Sequence, residues 1–284
     1  MELIDGKLIS SKLKDQVKGN ANSYFQTPIL AVITIGDDEA SKVYVKNKKQ
    51  ACEYCGMSFM HFDYVHNVKE SVVIKKIKEL NKDKSVNGII VQLPIPETYD
   101  VNEIINTIDP DKDVDGLTFA NQGKLISGEE NILIPCTPKG ILEILKEIKI
   151  NLEGKHVVVV GRSSLVGKPI MLECLKRNAT CTICHSKTKD LKKHTKDADV
   201  LIVCVGKKHL IDKTMIKKDS VIIDVGINRE EGKLYGDVNP NVDELCSMRT
   251  PVPGGVGPMT VVMLLKNTMM AYEKQNGVTH EWKK

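Results

Sequence analysis

No block of five or six like charges occurs in the 284 residues, and lysine plus arginine exceed aspartate plus glutamate by only 41 to 37. A net charge of +4 is too small and too scattered to argue for a nucleic-acid partner, and suits anionic small molecules at least as well. No uninterrupted apolar run is long enough for a membrane helix. The opening "MELIDGKLISSKLKDQVK" carries early charges and no secretory apolar stretch. The expectation is an unexported, cytoplasmic chain without nucleic-acid or membrane partners, whose eight cysteines stay reduced. Internal repeats and low-complexity segments are missing as well.

Metal ligands are also wanting. Two CxxC pairs occur, Cys52/Cys55 and Cys181/Cys184. "ATCTICHS" reads as a strand, however, and residues three apart on a strand point to opposite faces. Buried thiols acting as small hydrophobes account for these cysteines better than zinc, and no metal is expected.

What is present is an alternation of strand and helix patterns, which argues for parallel α/β architecture. "PILAVITIG", "SFMHFDYVH" and "VNGIIVQLPIP" read as strands. "SKVYVKNKKQACEYCG", "SVVIKKIKELNKD" and "TYDVNEIINTI" read as helices. The stretch "DPDKDVDGLTFANQGKLISGEENILIPCTPKG" is rich in turn signals and reads as a join between domains. Helical periodicity restarts at "TPKGILEILKEIKI", with Thr137 as the expected N-cap. "KHVVVVG", "ATCTICH", "ADVLIVCVG" and "SVIIDVGIN" follow as strands, the first so apolar that both its faces should be covered. A Gly-rich loop, "PGGVGP", then feeds a long helix, and the tail "NGVTHEWKK" reads as frayed.

"VVVVGRSSLVGKP" sets Gly161, Ser163 and Gly167 between a strand and a helix, where dinucleotide folds seat a phosphate. Ser163 stands in place of the second glycine of GxGxxG, so a purely structural turn is the competing reading. An NAD site calls for an acid at the end of the next strand. Here that strand ends His185, Ser186, Lys187. Arg162 and Ser186 could instead surround a 2′-phosphate, which leans the site towards NADP; the alternative is that Arg162 and Lys187 are ordinary surface residues.

The lysines of residues 41–56 separate on a helical wheel. With Tyr44 at zero and about 100° per residue, Lys48 falls near 40° among Ala51, Cys52 and Cys55, while Lys42, Lys46 and Lys49 gather opposite. A lysine on an apolar face snorkels out, pairs, or lies in a pocket where desolvation tunes it for proton transfer. Gln92 and Asp115, near predicted strand ends, are its candidate partners.

"YVKNK", "GIIVQLPIP", "DPDKDVDG", "PCTPKG", "VVVVGRSSLVGKP", "CHSKT", "VIIDVGIN", "GDV" and "PVPGGVGPMT" occur in one order along nearly the whole chain. This series resembles the bifunctional methylenetetrahydrofolate dehydrogenase/methenyltetrahydrofolate cyclohydrolase family. The resemblance implies two α/β domains flanking a cleft, the second a Rossmann-type domain with a mostly parallel sheet. The expected domains are 1–118, joined by a C-terminal helix over 262–284, and 119–261 for NADP. The resemblance also implies a homodimer, with contacts from the cofactor domain, acting on tetrahydrofolate derivatives that include polyglutamylated forms. By position, Lys48 takes the catalytic place, Gln92 tunes it, Asp115 holds the pterin and Tyr44 packs along the folate. Gly161, Arg162, Ser163, Ser186 and Ile227 take cofactor places, and Pro253, Gly254 and Gly255 substrate places. One departure is Lys207–Lys208, near which the family often has proline. Two alternatives stand beside this reading: a dehydrogenase without hydrolase activity, and a non-catalytic nucleotide-binding protein on the same fold.

Overall fold

The computed structural model describes residues 1–278. In chain order its elements are β1 Glu2–Leu3, α1 Gly6–Ala21, β2 Ile29–Ile35, α2 Glu39–Tyr54, β3 Ser58–Tyr64, α3 Glu70–Lys82, β4 Gly88–Val91, α4 Val101–Asn106, α5 Phe119–Ile126 and α6 Cys136–Glu147. They continue as β5 His156–Val160, α7 Gly167–Lys176, β6 Thr180–Cys184, α8 Leu191–Thr195, β7 Val200–Val203, β8 Val221–Asp224, β9 Asn228–Glu230, β10 Lys233–Tyr235, β11 Met248–Arg249 and α9 Val256–Asn276. The last residues of the expected 262–284 helix and of the "NGVTHEWKK" tail, 279–284, lie outside the described residues.

The chain forms two compact units, one of Met1–Ser11 with Thr137–Thr260, the other of Lys12–Cys136 with the chain from Val261 on. The division at 136/137 lies beyond the expected join at 118/119. Residues up to 136 stay with the second unit because Asn267 Nδ2 donates to the carbonyls of Val114 (2.8 Å) and Ile134 (3.0 Å). Residues 1–11 go with the other unit because β1 pairs with β11.

The second unit holds a parallel sheet in the order β3-β2-β4. Ile33 pairs with Phe62 on one side and Val91 on the other. A parallel bridge from Ile89 to Asp113 extends the sheet past β4. The core is aliphatic: Ala31, Ile33 and Ile89 of the sheet pack with Val73 and Ile77 of α3 and Ile104 of α4. Val73, Ile77 and Leu80 recur at the spacing that builds one apolar helix face.

The other unit holds a six-stranded, all-parallel sheet in the order β1-β11-β8-β7-β5-β6. β7 is buried at every position and β5 at all but its first, as strands covered on both faces are. The order steps from β5 to β6 on one side and to β7 on the other, so the chain reverses direction across the sheet between β5 and β7. In open α/β sheets, ligands bind beyond the carboxyl ends of strands at such a reversal. β9 and β10 form a separate antiparallel hairpin whose turn, Glu231–Gly232, has φ of 48° and 76°. Thr137 is not the N-cap of α6. That helix already begins at Cys136, and the Thr137 hydroxyl instead lies 3.1 Å from that of Thr260.

Candidate active site

The geometry around Lys48 starts with its helix. Asp38 caps α2, accepting from the Ser41 amide at 2.7 Å. Ser41, Val45, Ala51, Cys52 and Cys55 make the buried side, and Lys42, Lys46 and Lys49 are exposed. Lys48 is half-buried, and its Nζ donates to Gln92 Oε1 at 2.8 Å. Gln92 follows β4 directly. Its backbone amide donates to Ile33 O at 2.8 Å and its Nε2 donates to Leu93 O at 2.7 Å. With the amide nitrogen committed to a carbonyl, the side-chain oxygen is left facing the lysine. Tyr44, one turn before Lys48, is 41% exposed. Burial pushes the Cys52 thiol up to about 12 and the Cys55 thiol up to about 11. No cluster of three or more His, Cys, Asp or Glu side chains suited to a metal occurs among the described residues.

The loop "DKDVDG" contains two differently employed acids. Asp113 is 1% exposed and accepts from the amides of Leu117 (3.1 Å) and Thr118 (2.8 Å) and from Asn121 Nδ2 (2.9 Å). Burial raises its pKa above the ordinary range. Asp115 is half-buried, and its carboxylate has no hydrogen-bond partner among the described residues. The bridge between Ile89 and Asp113 docks this loop against β4, and Asp115 lies in the following turn, closed by Gly116 N donating to Asp113 O at 3.1 Å. Of the three, the structure brings Lys48 and Gln92 into direct contact, while Asp115 lies in a turn of the same unit.

In the other unit, Gly161 closes β5 with φ of 134°, and its amide donates to Cys184 O at 2.8 Å. A Cβ at Gly161 would meet Cys204 Sγ at 2.5 Å, and one at Gly167 would meet Gly161 O at 2.3 Å. Only glycine lets strand, turn and helix approach this closely. Ser163 Oγ accepts from the amides of Val166 (3.2 Å) and Gly167 (3.4 Å), occupying donors that open α7. The parallel pairing of Val160 with Cys184 sets the 161–163 turn beside the 185–188 turn. Arg162, Ser186 and Lys187 are all exposed there, without an acid. A close-packed glycine turn opening a ten-residue helix, flanked by exposed cationic and hydroxyl side chains, fits the phosphates of NADP. Ile227, past β8, is an exposed apolar residue at 51%. Pro253 is exposed, Gly254 half-buried and Gly255 buried in the loop that enters α9.

Asp224 and Asp237 had no expected role. Both are buried at 0–1% exposure. Asp224 accepts from the amides of Gly226 (3.0 Å), Asp237 (2.9 Å) and Val238 (3.0 Å). Asp237 accepts from the amides of Val205 (2.7 Å), Gly206 (3.0 Å) and Lys207 (2.7 Å). A Cβ at Gly226 would strike Asp237 Oδ1, and one at Gly236 would strike Asp224 Oδ2, so each carboxylate fills the space beside the other motif's glycine. The only sequence signal is an acid within two positions of a glycine in both "DVG" and "GDV". At the departure point, Lys208 Nζ lies 3.8 Å from the centroid of the Tyr235 ring and pairs with Glu230, which ties this loop to the hairpin.

Residues 4–115 match the family described as "Tetrahydrofolate dehydrogenase/cyclohydrolase, catalytic domain". Residues 135–276 match its NAD(P)-binding domain. The chain is 49% identical to "Bifunctional protein FolD" of Campylobacter hominis over 274 residues, covering 95% of this chain and 96% of that one. It is similar to the crystal structure of the bifunctional FolD enzyme of Campylobacter jejuni (TM-score 0.95, 43% identity, 96% of this chain and 99% of that one). It is also similar to the FolD of Trypanosoma brucei complexed with NADP cofactor and inhibitor (TM-score 0.91, 31% identity, 96% and 97% covered).

Proposed function

The chain belongs to the tetrahydrofolate dehydrogenase/cyclohydrolase family, and from that premise we propose how its own residues serve the two reactions. These are the NADP-dependent oxidation of 5,10-methylenetetrahydrofolate and the hydrolysis of the methenyl product to 10-formyltetrahydrofolate. The observation that carries the residue assignment is the 2.8 Å hydrogen bond from Lys48 to Gln92.

In the first step a hydride leaves the carbon between two nitrogens, and the resulting amidinium-like cation is stabilised by the substrate itself. NADP supplies the hydride acceptor. The protein's task there is orientation rather than strong base chemistry. Asp115, whose carboxylate has no partner among the described residues, accepts from the N–H donors of the pterin ring. Tyr44 packs its exposed ring along the folate, and Pro253, Gly254 and Gly255 take further substrate contacts. Gly161, Arg162, Ser163, Ser186 and Ile227 hold NADP, with Arg162 and Ser186 on the 2′-phosphate.

In the second step water adds to the cationic methenyl carbon and gives up both protons as its oxygen becomes the formyl oxygen: one leaves to solvent, discharging the substrate's positive charge, and the other is needed by the nitrogen released when the carbon–nitrogen bond breaks. Lys48 Nζ moves that proton, and Gln92 positions the ammonium by accepting one of its hydrogens. By the same family membership we assign a cytoplasmic homodimer, with the cofactor-binding unit supplying contacts, and substrates that include polyglutamylated folates. The net charge of +4 suits such anionic tails. No described helix is long and apolar enough to cross a membrane.

A coupled assay tests this. NADP reduction and methenyl decay are followed separately in the wild type and in Lys48→Met, with NADP binding measured by titration. Lys48→Met is expected to lose methenyl hydrolysis by about a hundredfold or more, with NADP binding retained. Undiminished hydrolysis would remove Lys48 from the reaction.

A further inference from the structure

Asp237 lies outside every assignment above, yet it draws together three segments of the cofactor-binding unit. Its side chain is fully buried. Oδ2 accepts from Val205 N (2.7 Å) and Gly206 N (3.0 Å), and Oδ1 accepts from Lys207 N (2.7 Å) and Asn228 Nδ2 (3.0 Å). Asp224 fixes Asp237 in turn by accepting its backbone amide at 2.9 Å.

The bound segments are placed tellingly. Val205–Lys207 begin two residues past β7, and Asn228 follows Ile227 beyond β8. β7 borders β5, whose carboxyl end carries Gly161, and Cys204 Sγ donates to Val160 O at 3.4 Å. The crevice where the sheet order reverses therefore has the Gly161 turn on one side and the 205–207 loop on the other. Arg162 and Ser186, with their 2′-phosphate assignment, lie toward β6. The adenosine end of a dinucleotide crossing this crevice takes the β6 side, which leaves the β7–β8 side for the nicotinamide.

We propose that Asp237 is a positioning residue for the nicotinamide half of the cofactor, presetting the 205–207 backbone and the Ile227–Asn228 segment against which that half lies. The inference rests on the NADP reading above.

Asp237→Asn tests it at constant size. Each carboxylate oxygen faces two N–H donors, so whichever way the amide turns, its own NH2 group points at two of them. The expected result is a dissociation constant for NADP raised by about tenfold or more. Affinity for adenosine 2′,5′-bisphosphate, which lacks the nicotinamide half, stays at the wild-type value. Equal losses for both ligands, or no loss for either, would overturn the proposal. Failure of the wild type to bind NADP would instead sink the cofactor reading, so the two failures are distinct. If the variant does not fold, the wild type supplies the decision by nuclear magnetic resonance. The Val205 and Gly206 amide signals move on adding NADP and stay in place with the bisphosphate. Signals unmoved by NADP, or moved alike by both ligands, count against the proposal.

Discussion

Asp113 and Asp115 sit two positions apart and show how far residue type alone carries an assignment. Asp113 commits its carboxylate to Leu117, Thr118 and Asn121, whereas Asp115 has no such partner among the described residues. Nothing in "DKDVDG" separates them, because Asp113's donors come from a following turn and helix inside a stretch whose only pattern is turn residues. Lys48 was more legible: one period of the wheel sets it apart from three solvent-facing lysines, and it does contact Gln92. Asp224 and Asp237 were illegible because most of their donors are backbone amides, which have no residue type. Arg162→Ala is expected to weaken NADP binding by about tenfold while leaving NAD little changed, since only NADP carries the anion a guanidinium would pair with. Titration of both cofactors against the variant checks this, and equal losses would refute it.

Among the elements, the long patterned ones were readable and the short ones were not. β2, β5, β7 and β8 fall where continuous apolar runs predicted them, and α2 and α3 follow their periodicity. β1 and β11 have two residues each, too few for any pattern. α5 hides in a turn-rich stretch, where Thr118 caps it by accepting from Asn121 N. α3 has another support invisible to periodicity. Lys112, 6% exposed, donates from Nζ to Leu80 O (3.0 Å) and Asp83 O (2.6 Å), satisfying carbonyls at the helix's end. Burial lowers its pKa, so its contribution is part gain and part desolvation cost. Lys112→Met relieves that cost but takes the side-chain donor from Leu80 O and leaves Asp83 O with the Val86 amide at 3.2 Å. The expected net effect is a loss of about 1–2 kcal/mol in unfolding free energy, read from urea denaturation.

For the whole molecule, the buried carboxylates set a dependence of stability on pH. Burial, more than the neighbouring Asp237, raises the Asp224 pKa from 3.8 to about 6. A raised acid favours folding when protonated. Its contribution is fully present below about pH 4 and is lost as pH rises through about 6. From pH 5 to pH 7 this one group should take away about 1 kcal/mol, and Asp224→Asn should flatten that part of the curve. Denaturation at the two pH values, wild type against variant, measures the difference; identical slopes would count against it.

The pairing of β1 with β11 bears on how the chain is made. Glu2 and Leu3 lie beside Met248 and Arg249, so the sheet of the cofactor-binding unit is closed by residues that leave the ribosome 246 positions apart. Most of the other unit, Lys12–Cys136, is synthesised in between. Domains generally fold as their sequence emerges, but this unit's edge strand β1 must wait for its partner until Met248 and Arg249 have been made. Division of the chain after Cys136 would therefore leave each unit shared between two fragments.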